Sequence, residues 1–165
     1  MMYKVETVER EQVFFEDVEV GSEIPTITRG PYTAIKTALF IGALWIDFHP
    51  AHYCGAWARR MGCPGILLHS HHITPLLVQL VTDWMGPNGT LKKFTARIIS
   101  DTYARFTSQI PDDTYEGDTL TAKGRIIKKY KKDSENYLEC ELWADKQDGT
   151  VVAQGSAMVI LPSKS

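Results

Sequence analysis

Ile73-Thr-Pro-Leu-Leu-Val-Gln-Leu-Val-Thr-Asp-Trp84, followed at once by Met85-Gly-Pro-Asn-Gly89, decides how the chain folds. Ile73, Leu76, Leu77, Leu80, Val81 and Trp84 recur at three- and four-residue spacing, a single apolar stripe along a helix. Val78 adds apolar surface outside the stripe, so this helix is expected to be buried on more than one side. Proline lacks an N–H and is tolerated near a first turn. Pro75 therefore puts the start of regular helix close to Thr74, with His69 to Ile73 as its entry. The Gly86–Gly89 cluster ends it.

Beyond Gly89 the period changes to two. Leu91 to Thr102 reads as a strand with Phe94, Ala96 and Ile98 on one side, and Tyr103 to Ile110 continues it or forms a second. Pro111-Asp-Asp113 is a loop and Tyr115–Asp118 a turn. Thr119 to Tyr130 is a strand, and Lys131 to Glu135 a turn. In Tyr137 to Ala144, Leu138, Cys140, Leu142 and Ala144 alternate inward. Asp148-Gly149 signals a hairpin, and Val151 to Leu161 follows with Val151, Ala153, Gly155, Ala157 and Val159 on one face.

Ahead of the central helix, Phe14 to Gly21 reads as an apolar anchor and a turn. Ser22 to Arg29 is a short strand ended by Gly30-Pro31. A helix then begins at Tyr32 with Thr33 as a candidate cap, carries Ile35, Leu39, Gly42 and Ala43 at helical spacing, and ends near Ile46. A shorter helix spans about Ala51 to Met61 and stops at Gly62. Cys63-Pro-Gly65 is a turn. Helices followed by a run of antiparallel strands imply an α+β domain, one sheet packed on one buried helix.

The chain has 165 residues, enough for one domain: a polar arm over 1–13, and a single domain over 14–162. Lys and Arg number 18 against 20 Asp and Glu, so no global field exists to hold nucleic acid or anionic lipid. The local basic run Lys128–Lys132 borders a turn and Asp133 and Glu135, and reads as a solvated hairpin tip. Three cysteines, Cys54, Cys63 and Cys140, without a CxxC or an apolar leader, place the expected location in a reducing cytoplasm with free thiols. The longest apolar run, Ala38 to Ile46, is too short to span a bilayer.

All five histidines, His49, His52, His69, His71 and His72, lie in one stretch of the chain. Three readings compete. In the first, Asp47 and His52 flank the Pro50 turn and aim an acid and an imidazole at one water, the equipment for adding or removing water at a double bond. The helix start near Ser70 supplies backbone N–H groups and a positive dipole end to hold an enolate oxygen. The bland counterpart has Asp47 capping a helix and His52 packing. In the second, His69, His71, His72, Cys54, Cys63 and Asp47 bind a metal, although no standard zinc spacing occurs. In the third, His71 and His72 are helix-entry residues without a role.

Asp47-Phe-His-Pro-Ala-His52, with Ala58, resembles the Asp-x-Asn-Pro-(Leu/Ile/Val)-His-x5-Ala signature of MaoC-like (R)-specific enoyl-CoA hydratases. Phe14–Gly21 is similar to that family's opening. Leu68-His-Ser70 stands where the family has His-Gly, and Asp145–Leu161 fits its last hairpin. Val81–Pro87 resembles the branch acting on bulky or steroid side-chain acyl-CoAs, often as paired subunits. The resemblance implies a hotdog fold, an antiparallel β-sheet wrapped around a long central helix. It implies (R)-specific hydration of trans-2-enoyl-CoA thioesters, or the reverse dehydration. Asp47 and His52 would be catalytic, and Ser70, His69 and Gly65 would bind substrate. No metal or cofactor beyond the CoA of the substrate is implied, and the partner is a second copy or a homologous hotdog subunit. His49, Ala51, Ile46 and Ser70 depart from the family pattern, so a non-catalytic acyl-CoA-binding partner subunit of a two-component hydratase is the alternative.

Overall fold

The computed structural model describes residues 11–45, 49–104 and 117–164. Strand β1 (Glu23–Arg29) is followed by helix α1 (Ala34–Leu44), a 3-10 turn over Pro50–His52, helix α2 (Gly55–Arg60), strand β2 (Ile66–Leu67) and helix α3 (Ser70–Trp84). Strands β3 (Thr90–Ile98), β4 (Tyr103–Ala104), β5 (Leu120–Lys132), β6 (Glu135–Lys146) and β7 (Val151–Ile160) complete it. Five strands form one sheet in the order β1-β5-β6-β7-β3, every neighbour antiparallel. β2 and β4 form a separate ladder.

Helix α3 lies against this sheet and touches β1, β3, β5, β6 and β7. Ile73, Leu76, Leu77, Leu80 and Val81 are buried as their spacing requires, and Trp84 packs half-buried at the end. Each such side chain contributes roughly 1.5–3 kcal/mol by leaving water. The opposing surface is the inward row of β6, Leu138, Cys140, Leu142 and Ala144, all fully buried. Phe15 and Val18 of the opening segment close one end of the core.

Helix α3 starts at Ser70, earlier than Pro75 alone implies. The His69 side chain caps it, accepting the His71 N–H at 3.2 Å, so a full turn forms ahead of the proline. Pro75 then forgoes only the bond to the His71 carbonyl. The Ala51–Met61 helix is instead two pieces, because the Pro50–His52 turn closes on itself before α2 begins at Gly55.

Helix α1 is capped as expected, Thr33 Oγ1 accepting the Lys36 N–H, and ends at Trp45, whose φ of 49° is left-handed. Its buried face is Ala34, Thr37 and Ile41, while Ile35 and Leu39 are 65% and 69% exposed, the reverse of the expected face. The helix is apolar nearly all round, so its periodicity could not choose a side. Thr37 is accepted inside because its hydroxyl donates back to the Thr33 carbonyl.

Strand β3 stops at Ile98 rather than Thr102. Its pairing with β7 ends there, the N–H groups of Ile99 and Ser100 both turn to the Val152 carbonyl, and Ile98 is exposed rather than inward. Beyond Ala104, the expected strand to Ile110, the Pro111 loop and most of the Tyr115–Asp118 turn lie outside the described residues. On β7, Ala153, Ala157 and Val159 face inward as expected. A bulge between Ala144 and Asp145 of β6 lets Val152 join them, so two successive residues are buried. Gly155 is required there, since a Cβ would stand 2.4 Å from the Thr95 carbonyl oxygen. The basic run ends β5, ahead of a turn with Asp133 and Ser134 at positive φ. Its lysines are engaged locally, Lys128 with Glu139, and Lys129 with Glu19 and the Val18 carbonyl.

Candidate active site

His52 ends the Pro50–His52 turn and is 8% exposed. Its Nδ1 lies 2.7 Å from the Leu67 carbonyl oxygen of β2. A carbonyl only accepts, so Nδ1 carries the proton and, in the neutral ring, Nε2 carries the lone pair. The turn that delivers this ring is capped by His49, whose Nδ1 accepts the Ala51 N–H at 3.3 Å. An asparagine oxygen would fill the same role, which gives the His49 departure a structural reading. Ala51 is fully buried beneath the turn, as is Ala58 in α2.

The support of Leu67 runs back to the main sheet. β2 pairs with β4, Ile66 opposite Ala104 and Leu67 opposite Tyr103. The Tyr103 N–H donates to Asp118 Oδ2 at 2.7 Å, and the Asp118 N–H donates to the Tyr103 carbonyl at 2.8 Å. Asp118 is 2% exposed, sits just ahead of β5, and also takes a hydrogen bond from Gln147. A buried carboxylate thus fixes the small ladder whose carbonyl sets the tautomer of His52. Neither Leu67 nor Asp118 carries any sequence signal of this role, because one acts through its backbone and the other reads as an ordinary turn residue.

Across from His52 stands the start of α3. The His52 and His69 rings meet edge-on at 4.9 Å between centroids, and His49 stands 5.9 Å from His52. His69 is buried, and its Nδ1 accepts the His71 N–H as the helix cap. The His72 N–H goes to the His69 carbonyl. The Ser70 N–H has no partner among the described residues. It stands at the positive end of α3. Gly65 is buried in the turn leading into β2.

His71 and His72 are not idle. His71 Nδ1 lies 2.8 Å from His69 Nδ1. His72 stacks on Phe40 of α1 at 3.9 Å between centroids and meets Tyr32 edge-on, joining α1 to α3. Burial, and then the neighbouring His69 and His52, push its pKa down to about 4. Burial also pushes the Cys140 thiol up to about 12. All three cysteines are free. Among the described residues no three His, Cys, Asp or Glu side chains gather as a metal ion requires. Asp47, with Ile46, lies outside the described residues. On β3, Lys92 pairs with Glu135 and Arg97 with Gln154, as surface cations do.

No protein-family model matches the chain, and no curated protein does. Solved structures do match it. An R-hydratase, PhaJ1 from Pseudomonas aeruginosa, is 18% identical over 93% of this chain and 88% of that one, with a TM-score of 0.72. A MaoC-like dehydratase from Rhodospirillum rubrum is 19% identical over 93% and 99%, TM-score 0.68. The ChsH1–ChsH2 complex from Mycobacterium tuberculosis is 20% identical over 87% and 98%, TM-score 0.66. The chain has the hotdog fold of the MaoC-like dehydratases. The hotdog helix is α3, and its first residues face the imidazole delivered by the loop between α1 and α2. Among the described residues no helix is long and apolar enough to cross a membrane.

Proposed function

We propose that this hotdog is a hydro-lyase that adds water to trans-2-enoyl-CoA thioesters to give (R)-3-hydroxyacyl-CoA, or removes it in reverse. The observation that carries the reading is His52, its Nδ1 held by a backbone carbonyl, beside the start of α3, where the Ser70 N–H has no partner among the described residues. In this reading a water sits between Asp47 and His52. Its hydroxyl adds to C3 and a proton reaches C2 on the same face. As the C3–O bond forms, charge passes to the thioester oxygen, where the Ser70 N–H and the α3 dipole receive it. His69 and Gly65 line the acyl thioester. The protein groups complete this chemistry without a metal or a cofactor other than the CoA of the substrate. The Val81–Pro87 resemblance favours bulky or steroid-side-chain acyl groups.

The test is hydration of crotonyl-CoA and of a steroid-like enoyl-CoA, followed by loss of absorbance of the conjugated thioester. Asp47→Asn and His52→Gln should each lower kcat by orders of magnitude at unchanged fold. Full activity in both variants overturns the assignment.

A second reading is a subunit that binds acyl-CoA while a homologous hotdog partner does the chemistry. It is favoured by the exposed apolar side chains Ile35, Leu39 and Leu44 on α1 and Trp57 and Met61 on and after α2. The ChsH1–ChsH2 match, itself a two-protein complex, supports pairing of this kind. Inactivity alone, with activity on adding a partner that is insensitive to Asp47→Asn, would select it.

A further inference from the structure

The face of the sheet turned away from α3 holds a hollow that the water-adding site does not use. Along β6 the side chains alternate, so Leu142 and Ala144 face the helix while Glu141 and Trp143 face outward. Strand pairing sets the outward residues in two rows. Arg97 of β3, Gln154 of β7 and Trp143 of β6 stand in one. Thr95, Ser156, Glu141 and Arg125 of β5 stand in the next. Both rows line a hollow of about 530 Å³.

The polar groups of the two rows are unequally engaged. Arg125 gives both its Nε and Nη2 to Glu141 Oε2, at 2.8 and 2.6 Å. Lys123, beside Trp143 on β5, is paired with Asp145 at 2.7 Å. Thr95 and Ser156 share a hydrogen bond of 2.8 Å between their hydroxyls. Arg97 has only the neutral amide oxygen of Gln154, at 3.3 Å, and no carboxylate among the described residues. That bond leans the guanidinium over β7, the strand between Arg97 and Trp143. Trp143 is half-buried, and its indole N–H has no partner among the described residues.

An unneutralised guanidinium, a flat aromatic surface and a carboxylate oxygen that Arg125 leaves unused, Glu141 Oε1, thus border one hollow. Guanidinium groups hold phosphate, indoles stack on bases, and carboxylates accept from ring amines. The volume is one that small ligands ordinarily fill. We propose that this outer face binds an aminopurine nucleoside monophosphate, its phosphate on Arg97, its base against Trp143 and its amine on Glu141. The sheet stands between this site and α3, and the assignment does not rest on the hydratase reading.

Titration calorimetry of the full-length protein with AMP, adenosine and inorganic phosphate is the test. AMP should saturate one site per chain with a sub-millimolar Kd, and adenosine and phosphate should each bind about tenfold more weakly or worse. Arg97→Gln removes the charge and Trp143→Leu removes the ring, and each should weaken AMP by about tenfold or more. Gln154→Glu keeps both groups but gives Arg97 the carboxylate it lacks, and should weaken AMP by a similar factor. Arg97 and Gln154 are exposed, and thermal melts establish that these variants fold.

No saturation below millimolar AMP overturns the assignment, as does AMP binding that is unchanged in Arg97→Gln and Gln154→Glu. Phosphate binding as tightly as AMP would leave Trp143 without a role and overturn the nucleotide class. Coenzyme A carries an adenine nucleotide of its own, so the KM for crotonyl-CoA is measured in Arg97→Gln as well. It should not change. A rise matching the loss of AMP affinity would show that the hollow holds the nucleotide end of the substrate, and would overturn a separate ligand.

Discussion

His72 ties the pH dependence of stability to one side chain. Its ring is sandwiched against Phe40 and edge-on to Tyr32, and its Nε2 is buried without a hydrogen-bond partner. Burial, reinforced by His69 and His52, lowers its pKa from 6.5 to about 4. The folded protein therefore declines a proton that the unfolded chain accepts. Above pH 6.5 neither state is protonated and the fold keeps its full stability. As the pH falls from 6.5 towards 4 the unfolded state gains protons first, so stability declines, and below 4 both states are protonated and the loss levels off. A shift of this size corresponds to roughly 3 kcal/mol at about 1.4 kcal/mol per pH unit. The side chain is only partly buried, and screening by solvent reduces that to about 1–2 kcal/mol.

The assay is urea unfolding followed by tryptophan fluorescence at pH 7.5 and pH 4, on wild type and His72→Leu. Leucine keeps the volume and the contact with Phe40 but cannot titrate. Other groups contribute equally to both proteins, so the difference between the two pH dependences isolates His72. Wild type should lose about 1–2 kcal/mol more than His72→Leu between the two pH values. At pH 7.5 the two should differ little, because relief of the orphan nitrogen, worth about 1 kcal/mol, is offset by the lost ring contact. Parallel curves would refute the reasoning, since they would mean that the native state takes the proton as readily as the unfolded chain.

Three further outcomes are expected. Leu77→Ala, at a fully buried position in the centre of α3, should cost about 3–4 kcal/mol in chemical denaturation by opening a cavity between helix and sheet. Gly155→Val should lower the melting temperature by an amount matching about 2–3 kcal/mol, because the new Cβ meets the Thr95 carbonyl and β7 must part from β3. Leu39→Glu, on the exposed face of α1, should leave monomer stability within about 0.5 kcal/mol while reducing the molar mass measured by light scattering. An unchanged mass would show that this face is not a subunit contact.

The sequence was most readable where one side of an element meets the core and the other meets water. The α3 stripe and the alternation of β6 match the buried rows because each is one continuous apolar row, and Val78, outside the α3 stripe, is only half-buried. α1 failed that test: apolar residues surround it, and burial fell on Ala34, Thr37 and Ile41 rather than on the larger Ile35 and Leu39. The α3 start was misjudged because a histidine cap does what a serine or aspartate ordinarily does, and histidine is not read as a cap. At the site, His52 is legible as a candidate from its neighbours, but what holds its ring is not. Leu67 acts through a carbonyl, and Asp118 is brought to Tyr103 by the return of β5 to the sheet. The catalytic assignment of Asp47 belongs to residues the structure does not describe.

The way the site is built separates tolerance from precision. The residues that would touch substrate come from a 3-10 turn and a helix end, segments with few intrinsic bonds and large freedom to vary. Their accuracy comes from elsewhere: a carbonyl of β2 for His52, the His71 backbone N–H for His69, and a buried carboxylate for β2 itself. Each of these fixes a hydrogen-bonding sense as well as a position, since a carbonyl can only accept and a backbone N–H can only donate. A ring held by a carbonyl stays basic on its far side, and a ring held by a backbone N–H stays a donor on its far side. Two chemically identical side chains, 4.9 Å apart, are in this way set in opposite hydrogen-bonding senses by backbone groups that differ only in whether they accept or donate.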